Sequence, residues 1–280
     1  MTVETDAKTR LLEQVLATFA STSNPRLLQI TEAAVRHVHA FVNEVQLTHE
    51  EWMAGIEFLT AVGKMCTETR QEFILLSDVT GTSSLVEIID YKGAAGSTEN
   101  TVLGPFYQTG APPRHNGDSI IETPDDGPRL HISGTVTALN GTPIAGARVD
   151  VWQTASNSLY PQQDPSQDPN NLRGVFTTEA NGHFDFTSVR PVDYPVPTDG
   201  PVGAYLKASG RHPMRAAHTH FIVSAPGYYT VTTHLFDSQS KYLDSDAVFG
   251  VRDSLIVELE PQPDGTLAAT FDVALTPEEG

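Results

Sequence analysis

Residues 203–231 read GAYLKASGRHPMRAAHTHFIVSAPGYYTV, and the apolar run Phe221-Ile222-Val223 directly after His218-Thr219-His220 marks this stretch as a β-strand. On an extended strand alternate side chains share a face, so His218 and His220 point the same way. Two imidazoles at this spacing can offer nitrogens to one metal ion, or they can be polar residues on a solvated strand face. Arg215 lies just upstream, where a fixed cation could meet an anionic ligand of such a metal.

Working outward, the residues on either side of this strand also read as short strands separated by turns. They are Leu130 to Thr137, Ala147 to Gln153, Gly174 to Thr178, His183 to Val189, Tyr228 to Phe236, Ser254 to Glu260 and Thr266 to Ala274. Asn140-Gly141 and Asn181-Gly182 are turn signals, and the first suggests that the strands around Gly134 and Gly146 form an antiparallel pair. Short strands with regular turns imply a sandwich or barrel. The N-terminal third is different. Apolar stripes run through Leu11 to Phe19, Leu28 to Val42 and Trp52 to Val62 at helical spacing. Pro25 suits a helix start, and Thr48-His49-Glu50-Glu51 has the capping-box pattern. Phe73 to Leu76 continues helically as far as Gly81, and Ser83 to Asp90 suggests one more short helix. The expected fold is therefore α+β: a helical linker and dimerisation region over 1–100, then an antiparallel β-sandwich catalytic domain over 101–280.

Composition narrows the function. With 35 acidic and 17 basic residues in 280, the net charge is −18, which argues against a nucleic-acid partner. The single cysteine, Cys66, excludes an intrachain disulfide and a thiolate metal cluster and reads as a buried thiol. No apolar run is long enough to span a bilayer, and the N-terminus lacks a signal architecture, so a cytoplasmic, soluble protein is expected. Histidine and tyrosine remain as ligands. Tyr160 ends a strand that runs into a loop, and Tyr194 sits among Pro191, Pro195 and Pro197; each alone reads equally as an amphipathic packing residue. Together with His218 and His220 they make a Tyr, Tyr, His, His set. Hard, anionic phenolate donors suit ferric iron better than zinc or copper.

In this order the motifs Leu103-Gly-Pro-Phe-Tyr107, Asp150-Val-Trp-Gln153, Asn157-Ser-Leu-Tyr160, Arg173-Gly-Val-Phe176, Tyr194-Pro-Val-Pro197 and Arg215-Ala-Ala-His-Thr-His220 resemble the intradiol ring-cleavage dioxygenases along nearly the whole chain. The resemblance implies a non-haem Fe(III), one per subunit, with Tyr160, Tyr194, His218 and His220 as its protein ligands. It implies Arg215, Tyr194 and His234 as catalytic residues. Leu75, Asp78, Val102, Gly104, Pro105, Phe106, Val196, Pro197 and Val248 would bind substrate. Asp78 either meets a third ring hydroxyl or is a turn aspartate; His234 either hydrogen-bonds near the reacting oxygens or is an ordinary strand histidine. One departure is Ala216, where many members carry proline. Thr232-Thr-His234-Leu-Phe236 and Tyr242 to Val251 look most like the hydroxyquinol-cleaving members. The implied reaction is cleavage of benzene-1,2,4-triol with O2 to 3-hydroxy-cis,cis-muconate, which tautomerises to maleylacetate. Catechol or a substituted catechol is the alternative substrate, and a non-catalytic metal-binding sandwich module is the alternative from another class. A homodimer through the N-terminal helices, with a phospholipid at the interface, is also what the resemblance implies.

Overall fold

The computed structural model describes residues 3–68 and 70–278, and the chain forms two compact units, 1–60 and 61–280. The domain boundary expected near residue 100 falls inside the second of these.

The first unit holds α1 (Val3–Ala17), α2 (Pro25–Val45) and most of α3 (His49–Met65). Its boundaries follow from local chemistry. Asn24 caps α2 with its side-chain oxygen, which accepts from the amides of Arg26 at 3.0 Å and Leu27 at 3.1 Å, satisfying donors that a helix start leaves unpaired. The capping box opens α3: the Thr48 amide donates to Glu51 Oε2 at 2.8 Å and the Glu51 amide to Thr48 Oγ1 at 3.3 Å. No residue of α2 is buried, and Leu27, Ile30, Val38 and Phe41 are all exposed. Among the described residues no helix is long and apolar enough to cross a membrane.

The second unit begins with α4 (Glu72–Val79) and α5 (Thr82–Asp90), followed by a connector and the strands β1 (Arg129–Ala138), β2 (Arg148–Trp152), β3 (Arg173–Thr177), β4 (His183–Val189) and β5 (Tyr194–Pro195). Then come α6 (Pro201–Ala208), β6 (Met214–Arg215), β7 (His218–Ser224), β8 (Val231–Asp237), β9 (Ile256–Val257), β10 (Glu260–Pro261), β11 (Leu267–Thr270) and β12 (Val273–Leu275). One sheet runs β10-β11-β1-β12, with β4 also paired to β1; the other runs β3-β2-β7-β8-β9. Alternation along β1 buries Leu130, Ile132 and Val136, and an aromatic layer joins the sheets. Phe186 of β4 lies 6.2 Å from Phe221 of β7 and stacks on Phe176 of β3 at 5.1 Å. Each such fully buried side chain contributes about 1.5–3 kcal/mol relative to exposure.

Two expectations are corrected. The sheets are mixed rather than wholly antiparallel, because β11 and β12 run parallel to β1 and β9 runs parallel to β8. The strands around Gly134 and Gly146 do not pair with each other. Asn140-Gly141 does turn the chain, with the Ala138 amide donating to Thr142 O at 2.9 Å, but β2 then crosses to the other sheet and pairs with β3 and β7. The run 266–274 follows β1 in one continuous register, interrupted where Asp272 Oδ1 accepts from the Thr135 amide at 2.8 Å. At that interruption Phe271 comes so close that a Cβ on Gly134 would lie 2.0 Å from its carbonyl oxygen and 2.9 Å from the Phe184 ring. Backbone cannot give way as a flexible side chain can, so Gly134→Ala is expected to destabilise by about 3 kcal/mol. In thermal unfolding the midpoint should fall by roughly 5–10 °C.

Candidate active site

Strand geometry assembles the site. His218 and His220 alternate onto one face of β7, and the β7–β8 register sets His234 opposite His220. Trp152, the last residue of β2, pairs with His220 on the other side and stacks on its ring at 4.5 Å. Tyr160 arrives from the loop after β2. Tyr194 starts β5, which pairs with β6 so that Tyr194 faces Arg215. The loop before Tyr194 is pinned to β7 by Asp193 Oδ1, which accepts from the Ala217 amide at 2.9 Å.

The polar tips converge. Tyr160 Oη lies 2.9 Å from His220 Nε2 and 3.1 Å from Tyr194 Oη; Tyr194 Oη lies 3.4 Å from His218 Nε2, and the two Nε2 atoms are 3.1 Å apart. With metal–ligand bonds of about 2.0–2.2 Å, neighbouring donors sit roughly 2.8–3.1 Å apart in an octahedral shell and roughly 3.3–3.6 Å apart in a tetrahedral one. All four side chains are buried. His218 Nδ1 is 2.6 Å from the Ala216 carbonyl, which makes Nδ1 the donor and turns the Nε2 lone pair toward the other donors, as a metal-binding imidazole needs; Arg215 Nη1 also lies 3.1 Å from Nε2. His234 adds a third ring: nitrogens of His218, His220 and His234 lie within 4.8 Å of one another. Among the described residues Nδ1 of His220 has no hydrogen-bond partner, and neither nitrogen of His234 has a well-formed one, although the Val102 backbone acts on that ring. Buried polar atoms without partners are costly, and this donor set fits a mononuclear non-haem iron site.

Electrostatics prepare the donors. Burial, with the Arg215 charge nearby, holds His218 and His220 well below the usual imidazole pKa, so both are neutral donors. Burial pushes both phenols up, Tyr160 the further. The Arg215 guanidinium moderates the effect at Tyr194, where its Nη1 is 3.3 Å from Oη. Arg215 is itself buried and held charged by Asp246, whose Oδ1 accepts from Nε at 3.2 Å. Asp246 also accepts from the Gly250 amide at 2.8 Å.

A cavity of about 410 Å³ opens beside this centre. Leu75, Pro105, Phe106 and Pro197 of the expected substrate-binding residues line it. Phe106 stacks on Tyr160 at 4.6 Å, so one aromatic ring stands between the cavity and Tyr160, and none of the four donors lines it. Asp78, Val102, Gly104, Val196 and Val248 are not on its walls; all but the half-buried Gly104 are buried. Asp78 lies three residues after Leu75 on α4, hence on the same helix face. Gly104 packs beside His220, where an added Cβ would come 3.4 Å from Cε1.

Residues 102–277 match the Dioxygenase family, and residues 24–98 match the family described as Catechol dioxygenase N terminus. The chain belongs to the intradiol ring-cleavage dioxygenase family. It is 46% identical over 267 residues to a 6-chlorohydroxyquinol 1,2-dioxygenase of Cupriavidus pinatubonensis, covering 95% of this chain and 96% of that one. It is 44% identical to a hydroxyquinol 1,2-dioxygenase of Rhizobium sp., covering 95% and 90%. The solved structure of hydroxyquinol 1,2-dioxygenase from Pseudomonas putida DLL-E4 superposes with a TM-score of 0.91 at 44% identity, covering 98% of this chain and all of that one.

Several side chains that hold this intradiol dioxygenase site together carry no local sequence signal. Asp246, the partner of Arg215, is 31 residues away from it. Gln153 is fully buried; its Oε1 accepts from Ser188 Oγ and Thr219 Oγ1, both at 2.9 Å, and its Nε2 donates to Val189 O at 3.0 Å. It ties β4 to β7 next to the histidines. Its position immediately after Trp152, at the end of β2, was the one available hint.

Proposed function

We propose that this intradiol dioxygenase cleaves hydroxyquinol with O2 to 3-hydroxy-cis,cis-muconate, hence maleylacetate, in aromatic catabolism. The observation that carries the reading is the convergence of two phenol oxygens and two imidazole nitrogens beside a buried arginine. The ligands are Tyr160, Tyr194, His218 and His220, and the ion they hold is ferric, since two phenolates offset two of its three charges. Bound there, ferric iron supplies a Lewis acid that lowers the hydroxyl pKa values of the diol and draws electron density from the ring, which opens the ring to O2.

The chain's own residues supply the rest. Tyr194, lying between Tyr160 and Arg215, would as the phenolate of the loaded site take a proton from a substrate hydroxyl and become the neutral phenol, with the guanidinium 3.3 Å away to steady the phenolate charge. Arg215 presents a preorganised cation to negative charge that builds on the substrate during oxygen attack. Phe106, stacked on Tyr160 and held by Gln162 Nε2 donating to its carbonyl at 2.9 Å, keeps water from the ligand shell. His234, stacked on His218 at 4.5 Å, supplies ring nitrogens to the reacting oxygens. Leu75, Pro105, Phe106 and Pro197 wall the entry, and Val102, Gly104, Val196 and Val248, which lie off its walls, are assigned to substrate bound at the ligand set, where Gly104 packs beside His220. The helical region up to about residue 100 serves dimerisation and the remainder catalysis. The exposed apolar faces of α2 and α3 support a homodimer through these helices, with a phospholipid at the interface as a further part of this reading, and the enzyme works in the cytoplasm.

Asp78 receives the third hydroxyl. Burial raises its carboxyl pKa to about 6, so above that pH it is a carboxylate that accepts from the substrate, and below it a neutral acid. Asp78→Asn should lower kcat/KM for hydroxyquinol roughly 10-fold, the scale of one hydrogen bond to a charged group, and leave catechol nearly unaffected. In the unmodified enzyme the preference for hydroxyquinol should shrink as pH drops through 6. Stability has the opposite sign. Between 3.8 and about 6 the folded chain keeps a proton that the unfolded chain has lost, so stability falls as pH rises across that window, and Asp78→Asn removes the slope. Turnover of hydroxyquinol and catechol by the purified enzyme, each with one O2 consumed per ring opened, tests the assignment; faster cleavage of catechol would replace hydroxyquinol as substrate.

A further inference from the structure

We propose that Arg70 is a positioning residue that clamps the two walls of the substrate cavity together and so sets its width; the proposal rests on the reading that this cavity admits the diol. One wall comes from the start of α4, with Arg70, Glu72 and Leu75, and the other from the loop between β5 and α6, with Pro197 and Asp199. Arg70 bridges them. Its Nη1 and Nη2 donate to the two oxygens of Asp199, both at 2.9 Å, and its Nε and Nη2 donate to Glu72 Oε2 at 3.1 and 2.9 Å. The bidentate fork fixes orientation as well as distance. Glu72, whose side chain is fully buried, continues the link: its Oε1 accepts from the Val202 amide at 3.2 Å, in the first turn of α6, where a negative charge also meets the positive end of the helix.

A second observation is steric and independent of charge. Gly200 has an extended backbone, φ −116°, that any residue can adopt, yet a Cβ there would lie 2.4 Å from Glu72 Oε1, 2.6 Å from Met65 Sδ and 2.9 Å from Arg70 Nη2. Glycine stands at 200 because the loop is pressed directly onto the clamp. This loop also holds Val196 and Pro197 and follows Tyr194 directly. If it moves outward, the cavity widens while the ligand set, tied down by β6 and Asp193, stays in place.

The test compares Asp199→Ala, which removes the outer half of the ion pair, with Gly200→Ala, which wedges the loop off it. Both are expected to raise KM for hydroxyquinol, and the dissociation constant in anaerobic titration, by about 3–5-fold, the upper range for an exposed ion pair. They should leave kcat within about 2-fold and iron content unchanged. In the unmodified enzyme 0.5 M salt should move KM toward the Asp199→Ala value through screening, whereas the variant stays flat. Amide exchange over residues 196–203 should quicken in both variants. Unchanged affinity with unchanged exchange overturns the clamp, as does a fall in kcat accompanied by loss of iron. If the unmodified enzyme fails to bind hydroxyquinol, the substrate reading fails instead, and the clamp is still judged by amide exchange and by anaerobic catechol titration.

Discussion

His220→Ala is expected to give a folded but colourless protein without ring-cleavage activity, with iron affinity reduced by more than the roughly 10–100-fold that changes outside the ligand shell cause. The strand survives because β7 is paired on both sides, by β2 and by β8. What goes is one of four converging donors, 2.9 Å from Tyr160 Oη and 3.1 Å from His218 Nε2. Tyr160→Phe should behave alike and separates loss of a donor from loss of packing, since the ring stacked on Phe106 remains. Metal analysis and the visible spectrum read both. The raised phenol pKa values add a pH signature. Without metal both tyrosines are protonated, so loading a cation onto two phenolates releases two protons, and the logarithm of apparent affinity should rise with pH at a slope of about two. In Tyr160→Phe any residual binding should show a slope near one.

Arg215→Ala is expected to leave iron bound and cut turnover on the order of 100-fold, the scale of a lost transition-state charge partner. It should also destabilise the fold by about 3–5 kcal/mol, because it strands the buried Asp246 carboxylate. Burial opposes the charge on Arg215, but the Asp246 carboxylate beside it offsets this and keeps the guanidinium protonated. Asp246 would retain only amide donors, Gly250 N at 2.8 Å and Ala216 N at 3.3 Å. The double change Arg215→Ala with Asp246→Asn separates the two effects: stability should largely return and turnover should not. If turnover returned with stability, Arg215 would be a structural residue only.

What could be read from the chain beforehand follows the range of the interactions involved. The His218/His220 face, the helix start at Pro25 and the Thr48–Glu51 box are set within a few residues, and the structure shows each of them. The pairing of β1 with β4, β11 and β12 depends on residues up to 137 positions apart, and no local period encodes it. The Asn140-Gly141 signal is local and does close a short antiparallel turn, with Thr137 bridged to Pro143 and the Ile144 amide donating to Val136 O at 2.9 Å, whereas the crossing of β2 to the opposite sheet has no such signal. The helix α6 has a start signal in Pro201, but it is only eight residues long and contains Gly203, so its pattern is weak. Cys66, read as a buried thiol inside a helix, sits half-buried just past the end of α3, with Sγ 3.4 Å from the Val62 carbonyl oxygen. At the site, spacing pointed to His218 and His220, while Tyr160 and Tyr194 joined them through the resemblance to the intradiol dioxygenases. The supports Asp246, Gln153 and Asp193 act across 24 to 66 residues and had to be seen in three dimensions.

The visible spectrum of the purified protein, before and after anaerobic addition of hydroxyquinol, tests the central claim most directly. Tyr160 and Tyr194 on a ferric ion predict a red-brown protein as isolated, with a charge-transfer band that moves to longer wavelength as the diol binds. A colourless protein carrying zinc, with no spectral response to hydroxyquinol, would contradict it.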